Sequence, residues 1–542
     1  MVDGADRGSA FRPALSKLRR LSLLGSKQAA TNDDLQLKLN YDILLHVMLF
    51  LELGDLFRTM RTSRTLYELG LPILLANVQI TRTNMAASLL YRRHLLQDTT
   101  RLSKVRSLCS TYKALDDGSQ HPVGHRIYKT YQPFPQQYRL TDLLPQFTNL
   151  VVLEVAMEGA HVTPTFCDWI RTLKRLRVLK LRGVGAQAEL LKALLPDLPP
   201  GMEAVHIARI KPRSVVDAEW NPLKMLAHSW ATLESLAFEV YDRLRGPLLA
   251  SYQPACLPAV RDLSWVSRND VRPDVLMRTF PAVRTLRIGH VRLDTPGFGI
   301  GRNVDEAEQA QLRERNLRAQ QVGTGWDSLE RLEGGLLSLW TLALRCRVAH
   351  VETVLHAWPG ANLGHLIVLL HETTPRRLTL TTYPVHLAQL GRVLNFGPLE
   401  DLELCVDVVS NGEPDILDIL RNAFDEVYQS NLRRLTLIIR MLADVHQSAA
   451  YLRASRMGDL DLHRPPPSQS LSTRWRAFAD SLFTMVPLLE HLKLEVWGSR
   501  TLICTRRNMA VVSRESTTEV CPWDPRYMDD EGVWPVLRGQ TQ

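Results

Sequence analysis

Residues 176–181 read LRVLKL: an apolar residue, two variable ones, Leu, one variable, Leu. The same phrase recurs as LVVLEV from Leu150, MEAVHI from Met202, LESLAF from Leu233, VRDLSW from Val260 and VRTLRI from Val283. It returns as LWTLAL from Leu339, LEDLEL from Leu399, LRRLTL from Leu432 and LEHLKL from Leu489. On an extended chain successive side chains point to opposite faces, so the second and third apolar residues share an inner face and the residue between them faces solvent. Intervening segments such as AELLKALLPDLP and EPDILDILRNAF carry apolar residues at helical spacing and would pack behind the strands. One strand-plus-helix unit cannot enclose its own apolar side, whereas stacked units share a continuous core. The pattern therefore predicts an α/β array of parallel strands backed by helices.

Two longer gaps interrupt the array. They hold the polar stretch 295–325 and the run Arg464-Pro465-Pro466-Pro467, each of which predicts a loop or a degenerate unit. The expected organisation is a disordered basic arm over 1–34, a helical segment over 35–80, the array over 81–500 with insertions near 295–325 and 455–474, and a cap or tail over 501–542. That tail carries Trp523, Tyr527 and Trp534, suited either to cover the last unit or to anchor a partner.

The helical segment begins LNYDILLHVMLFLELGDL at 39–56. Asn40 is placed to cap a helix and Asp42 to meet its positive end. Ile43, Leu44, Val47, Met48, Phe50 and Leu51 follow at helical spacing. Gly54 is expected to break the run, Asp55 to cap a second helix through Leu56, Met60 and Leu66, and Gly70-Leu71-Pro72 to end it. Val78-Gln79-Ile80 alternates like a short strand. So few turns cannot bury their own apolar surface; they must meet the rest of the chain or another protein.

The stretch LKLNYDILLHVMLFLELGDLFRTMRTSRTLYELGLPILLANVQI resembles an F-box, particularly the form common in fungal F-box proteins. Tyr41-Asp42-Ile43-Leu44, Phe50-Leu51, Asp55-Leu56, Ser63-Arg64 and Leu71-Pro72 carry the likeness. Asn40 stands where the family usually has Pro, and Thr62 where many members have Val. The resemblance implies docking on the Skp-family adaptor of a cullin ubiquitin ligase through Leu39, Ile43, Leu44, Val47, Leu51 and Leu56. The repeated phrase loosely resembles leucine-rich repeats, without that family's Asn. Together they imply a short N-terminal helical F-box followed by an irregular leucine-rich-repeat-like solenoid, the order of F-box substrate receptors. Such a receptor is non-catalytic and holds a protein to be ubiquitinated. The alternative is a ligase-independent repeat scaffold for protein–protein interaction, capped by the front helices.

If the array curves, outward strand positions line its concave side: Glu154, Lys180, Arg182, His206, Glu239, Asp262, Arg287, Arg345, Asp401, Glu403, Arg434, Lys493 and Glu495. Their mixed signs suit a protein of complementary charge better than a polyanion. The formal charge of +9 is spread among acids along the chain, so nucleic acid is not expected as a partner. No window approaches the ~20 apolar residues that span a bilayer. Seven cysteines without a CxxC give neither a disulfide framework nor a zinc site, which points to a reducing compartment, cytoplasmic and/or nuclear. No P-loop, HExxH or GxSxG occurs, His121 and His125 lack companion ligands, and no cofactor or metal is expected. Twelve Lys stand against fifty-four Arg, with no Lys between Lys224 and Lys493. A preference for Arg codons and a selection against acceptor amines both predict that scarcity.

Overall fold

The computed structural model describes residues 41–51, 53–80, 98–111, 144–156, 164–183, 191, 193–210, 225–240, 256–267, 271–290, 306–321, 325–355, 363–387, 390–409, 416–425, 431–442, 471–496, 500–507 and 510–516. Asn40, the basic arm, His121 and His125, the proline run and the tryptophans of the tail lie outside them. The chain divides into two compact units, Met1–Leu75 and Ala76–Gln542.

The first unit is built from helices α1 (Tyr41–Leu49), α2 (Leu53–Met60) and α3 (Arg64–Ala76). The expected second helix is thus two helices. Ser63 separates them, its hydroxyl accepting the Leu66 N–H at 3.1 Å to cap α3. Asp55 lies within the first turn of α2 rather than at its cap, and there it pairs with Arg58 at 3.0 Å. Pro72 does not end α3; it lies inside it, forgoing one backbone bond while Leu74 and Leu75 beyond it are buried. Gly70 has a packing reason. A methyl group there would lie 2.5 Å from Met48 Cε and from Met60 Cγ, so its absence lets both side chains close over α3.

The second unit contains a sheet whose strands follow chain order, β1 to β16, each beside the next. They are β1 (Asn77–Ile80), β2 (Ser107–Thr111), β3 (Val152–Ala156), β4 (Val178–Arg182), β5 (Ala204–Ile210), β6 (Ser235–Val240), β7 (Asp262–Ser267) and β8 (Thr285–His290). Then come β9 (Ser328–Gly335), β10 (Arg347–Val354), β11 (Arg377–Thr382), β12 (Asp401–Val409), β13 (Arg434–Leu442), β14 (His491–Val496), β15 (Arg500–Arg507) and β16 (Ala510–Ser516). Neighbours from β1 to β14 are parallel; β15 and β16 close the series antiparallel.

Parallel neighbours require a crossover between them. Helices supply several: α4 (Pro164–Thr172), α5 (Pro273–Thr279), α6 (Glu306–Gln321), α7 (Leu336–Leu342) and α8 (Leu363–Thr373). Further along lie α9 (Pro384–Leu387), α10 (Leu390–Leu394), α11 (Ile416–Asp425) and α12 (Leu471–Met485). Each longer helix buries one stripe, for example Phe166, Trp169 and Ile170 on α4, or Phe478, Leu482 and Phe483 on α12.

Register explains why the strands sit as they do. One buried row runs Leu108–Leu153–Leu179–Val205–Leu236–Leu263–Leu286–Leu332 and continues through Val351–Leu378–Leu402–Leu435–Leu492. These are the second apolar residues of the repeated phrase wherever that phrase is a strand. At roughly 1.5–3 kcal/mol per buried aliphatic side chain, this row outweighs any surface contact the sheet makes.

The phrase misleads once. LWTLAL from Leu339 is not a strand: Leu336, Leu339 and Leu342 repeat every three residues, and the segment forms α7 and a left-handed Ala343 (φ 55°). The polar stretch expected to hold a loop or a degenerate unit contains α6, whose buried face is itself polar. Asn316 donates to the Thr341 carbonyl at 2.8 Å, Gln320 to the Ala343 carbonyl at 2.9 Å, and Arg313 to that of Trp340. Those carbonyls lie at and just past the end of α7, where few backbone N–H partners remain; that of Trp340 also accepts the Ala343 N–H at 3.2 Å.

β9 runs directly into α7, and Gly334 permits the turn. A Cβ there would overlap the Ile288 carbonyl oxygen of β8 and stand 2.9 Å from Leu339 Cδ2. Gly334→Ala is therefore expected to lower the unfolding free energy by about 1–3 kcal/mol, read from the midpoint of a denaturant melt. An unchanged midpoint would mean that β8 and α7 yield at no cost.

Candidate functional site

Two surfaces carry the candidate residues, one on each unit. On α1 the apolar residues occupy most of the circumference, Asp42 and His46 sharing the remaining side, yet of its residues only Met48 is buried. Ile43 is 51% exposed, Val47 41% and Phe50 70%, and Tyr41, Leu45 and Leu49 are exposed as well. Leu44 and Leu51 are half-buried. Leu56 differs from expectation: at 3% exposure it belongs to the helical core with Met60, where it shapes the surface rather than presenting itself. Leu39 lies outside the described residues. His46 packs edge-on against Phe50 with ring centroids 5.1 Å apart.

On the sheet, the residue between the two inner apolar positions forms an outward row. Glu154, Lys180 and His206 are neighbours across β3, β4 and β5; Arg287, Glu333 and Glu352 across β8, β9 and β10. Glu403 stands next to Thr379, and Lys493 next to Thr436. Two positions earlier on each strand, Arg331, His350, Arg377, Asp401, Arg434 and His491 make a second row across β9 to β14. Arg182 and Glu495 lie two positions past the first row, while Asp262 opens β7 and Glu239 is half-buried on β6. Arg345 is not part of either row. It stands exposed in the otherwise buried link between α7 and β10, because the phrase that placed it on a strand is helical.

These charges answer one another. Glu154 meets Arg182 at 2.8 Å and Lys180 at 3.8 Å; Arg287 meets Glu333 at 3.2 Å. Arg331 bridges Glu333 and Glu352. Arg377 lies 3.2 Å from Glu403 and 3.8 Å from Asp401, which also holds Arg434 at 3.1 Å. Asp407 and Arg440 pair at 2.6 Å, Lys493 and Glu495 at 2.7 Å. Burial and the adjacent Glu333 push the Glu352 carboxyl above its ordinary value, against the pull of Arg331.

Sequence reading missed the centre of this surface. Glu333, Glu352, His350, Arg331 and Arg377 lie on strands where the phrase is broken. Its last apolar residue is Gly334 on β9 and Thr353 on β10, and its first is Pro375 before β11. The usable signal was the inner residue alone, Leu332, Val351 and Leu378.

Burial pushes the thiols of Cys346, Cys405 and Cys504 up to about 11, far from the thiolate that attacks or binds metal. A cavity of about 310 Å³ between α8 and the end of α10 is lined mainly by Ile367, Leu370, Val393 and Phe396. Among the described residues no helix is long and apolar enough to cross a membrane.

Residues 37–70 match the model of the F-box domain. That stretch is thus an F-box domain; such domains typically bind Skp1-type adaptors, and the proteins that carry them are generally non-catalytic components of ubiquitin ligases. No curated protein matches the chain.

His206 and His350 give this surface a pH signature. His206 bonds Ser235 Oγ at 2.8 Å and His350 bonds Thr379 Oγ1 at 3.0 Å. Burial first, then the nearby Lys180 and Arg182 or Arg377 and Arg331, lowers each imidazole from 6.5 to about 4. Between those values the unfolded chain takes up protons that the folded chain refuses, so stability should fall as pH drops from 6.5 toward 4. Thermal melts of wild type against His206→Gln/His350→Gln measure it. The double variant should show a shallower loss over that window, and parallel curves would discount both histidines.

Proposed function

We propose that this chain is the substrate-recognition subunit of a Skp–cullin–F-box ubiquitin ligase. In this reading Ile43, Leu44, Val47 and Leu51, with Leu39, dock on the Skp-family adaptor, and Leu56 holds the helix that presents them. The second unit is a leucine-rich-repeat-like solenoid whose outward rows bind a protein target. The chain performs no transfer chemistry itself; it raises the local concentration of target amines near the enzyme that does.

The observation that carries this reading is the exposure of α1. A helix apolar over most of its circumference is normally buried on those sides, and this one buries only Met48 among its own residues. Covering Ile43, Val47 and their neighbours would contribute roughly 1.5–3 kcal/mol per side chain to association. For the second unit, support comes from strand order: each strand neighbours the next in chain order, and helices fill many of the intervals. A stack of repeated units has that topology. The paired charges of the outward rows favour a target that presents both signs, since a single-sign ligand must displace an existing partner.

Co-purification with a Skp-type adaptor tests the assignment. Ile43→Asp combined with Leu44→Asp should weaken adaptor binding by at least about ten-fold, a change of ~1.4 kcal/mol, with the circular dichroism of the array preserved. A wild-type chain that retains no adaptor would instead leave a repeat scaffold that works without a ligase.

A further inference from the structure

Lysine is distributed unevenly along this chain, and the sheet gives the unevenness a location. The first 224 residues hold eleven Lys beside twenty Arg, while those after Lys224 hold one, Lys493, beside thirty-four Arg. The lysine-free interval contains the whole of β6 to β13. A preference for Arg codons acts on a gene throughout, so it does not explain a contrast between its two parts.

Guanidinium geometry explains some of these arginines. Arg331 and Arg377 each bridge two carboxylates, which a planar fork does better than an ammonium. It does not explain Arg261, Arg345, Arg347 and Arg376, which are exposed and form no ion pair among the described residues. At those positions Lys would supply the same charge and solubility. What Lys has and Arg lacks is an amine that can deprotonate and attack.

Resting on the receptor role proposed above, we propose that β6 to β13 form the stretch of this chain reached by the ubiquitin-charged conjugating enzyme, and that arginine there leaves the bound target as the source of amines. In the transfer, a neutral lysine amine attacks the ubiquitin thioester carbonyl. A C–N bond forms, the C–S bond breaks, the enzyme thiolate leaves and the amine proton passes to a base. A guanidinium stays protonated and delocalised under those conditions and does not attack. Proximity makes the distinction matter, since a receptor lysine within reach competes at the same high effective concentration as the target's own. The same interval then locates the target: it lies over β6 to β13, where the receptor has been cleared of competing nucleophiles.

The test places Lys at Arg261, Arg345, Arg347 and Arg376 together in the full chain, with Arg175→Lys, beside the existing Lys174, as the comparison. Adaptor co-purification and thermal melting are measured first on every variant. In a ligase reconstituted with adaptor, cullin and charged conjugating enzyme, the four new lysines should acquire ubiquitin, located by mass spectrometry. In cells the variant's half-life should fall about two-fold or more, and adding Ile43→Asp should restore it. Retained adaptor with unmodified new lysines and an unchanged half-life overturns the inference while leaving the receptor role standing. Equal modification at Arg175→Lys overturns the assignment of β6 to β13. A wild-type chain that binds no adaptor removes the receptor role and this inference with it.

Discussion

The structure of the second unit depends on one constraint: the inner residues of successive strands must stay in register. Leu153, Leu179, Val205, Leu236, Leu263 and Leu286 meet side by side, and a slip of one residue would turn every one of them outward and every charge inward. A parallel sheet with period-two side chains has no intermediate setting. The apolar row therefore fixes the position of residues that contribute nothing to it. The outward charges are placed by the burial of their neighbours.

That placement has consequences for the electrostatics of the sheet. Because register brings Glu154 beside Lys180 and Arg287 beside Glu333, much of the surface neutralises itself before any partner arrives. Half-exposed pairs of this kind contribute little to stability one at a time. Their main effect is to fix which charges of opposite sign stand together along the sheet. Glu352 and Asp407 are the buried carboxylates of this surface, paired with Arg331 and Arg440, and there leaving a charge without its counterpart costs more than at the exposed pairs.

The first unit is governed by the opposite condition. Among the described residues its core holds Met48, Leu56, Met60, Gly70, Leu74 and Leu75, and it leaves most apolar side chains of α1 exposed. Gly70 draws the helices close enough for that small core to form, and the surplus apolar side chains remain outside. One unit thus satisfies its apolar residues internally, through a long row, while the other presents them.

The sequence by itself determined the alternation of most strands, their parallel, helix-backed character and the helical N-terminal segment with its exposed-apolar composition, because these follow from side-chain period over a few residues. It did not determine which apolar phrases are strands. LWTLAL satisfies period two and period three alike, and only its place behind β9, with α6 supplying donors to its last carbonyls, makes it a helix. Nor did it show β2, β9 and β10, where Ser110, Gly334 and Thr353 replace the expected apolar residue. Gly334 is there because the Ile288 backbone and Leu339 come too close for a side chain, a contact between residues far apart in the chain. Which charges meet was likewise decided by tertiary structure, since pairing follows from the register of neighbouring strands and leaves no mark on the local sequence of either one.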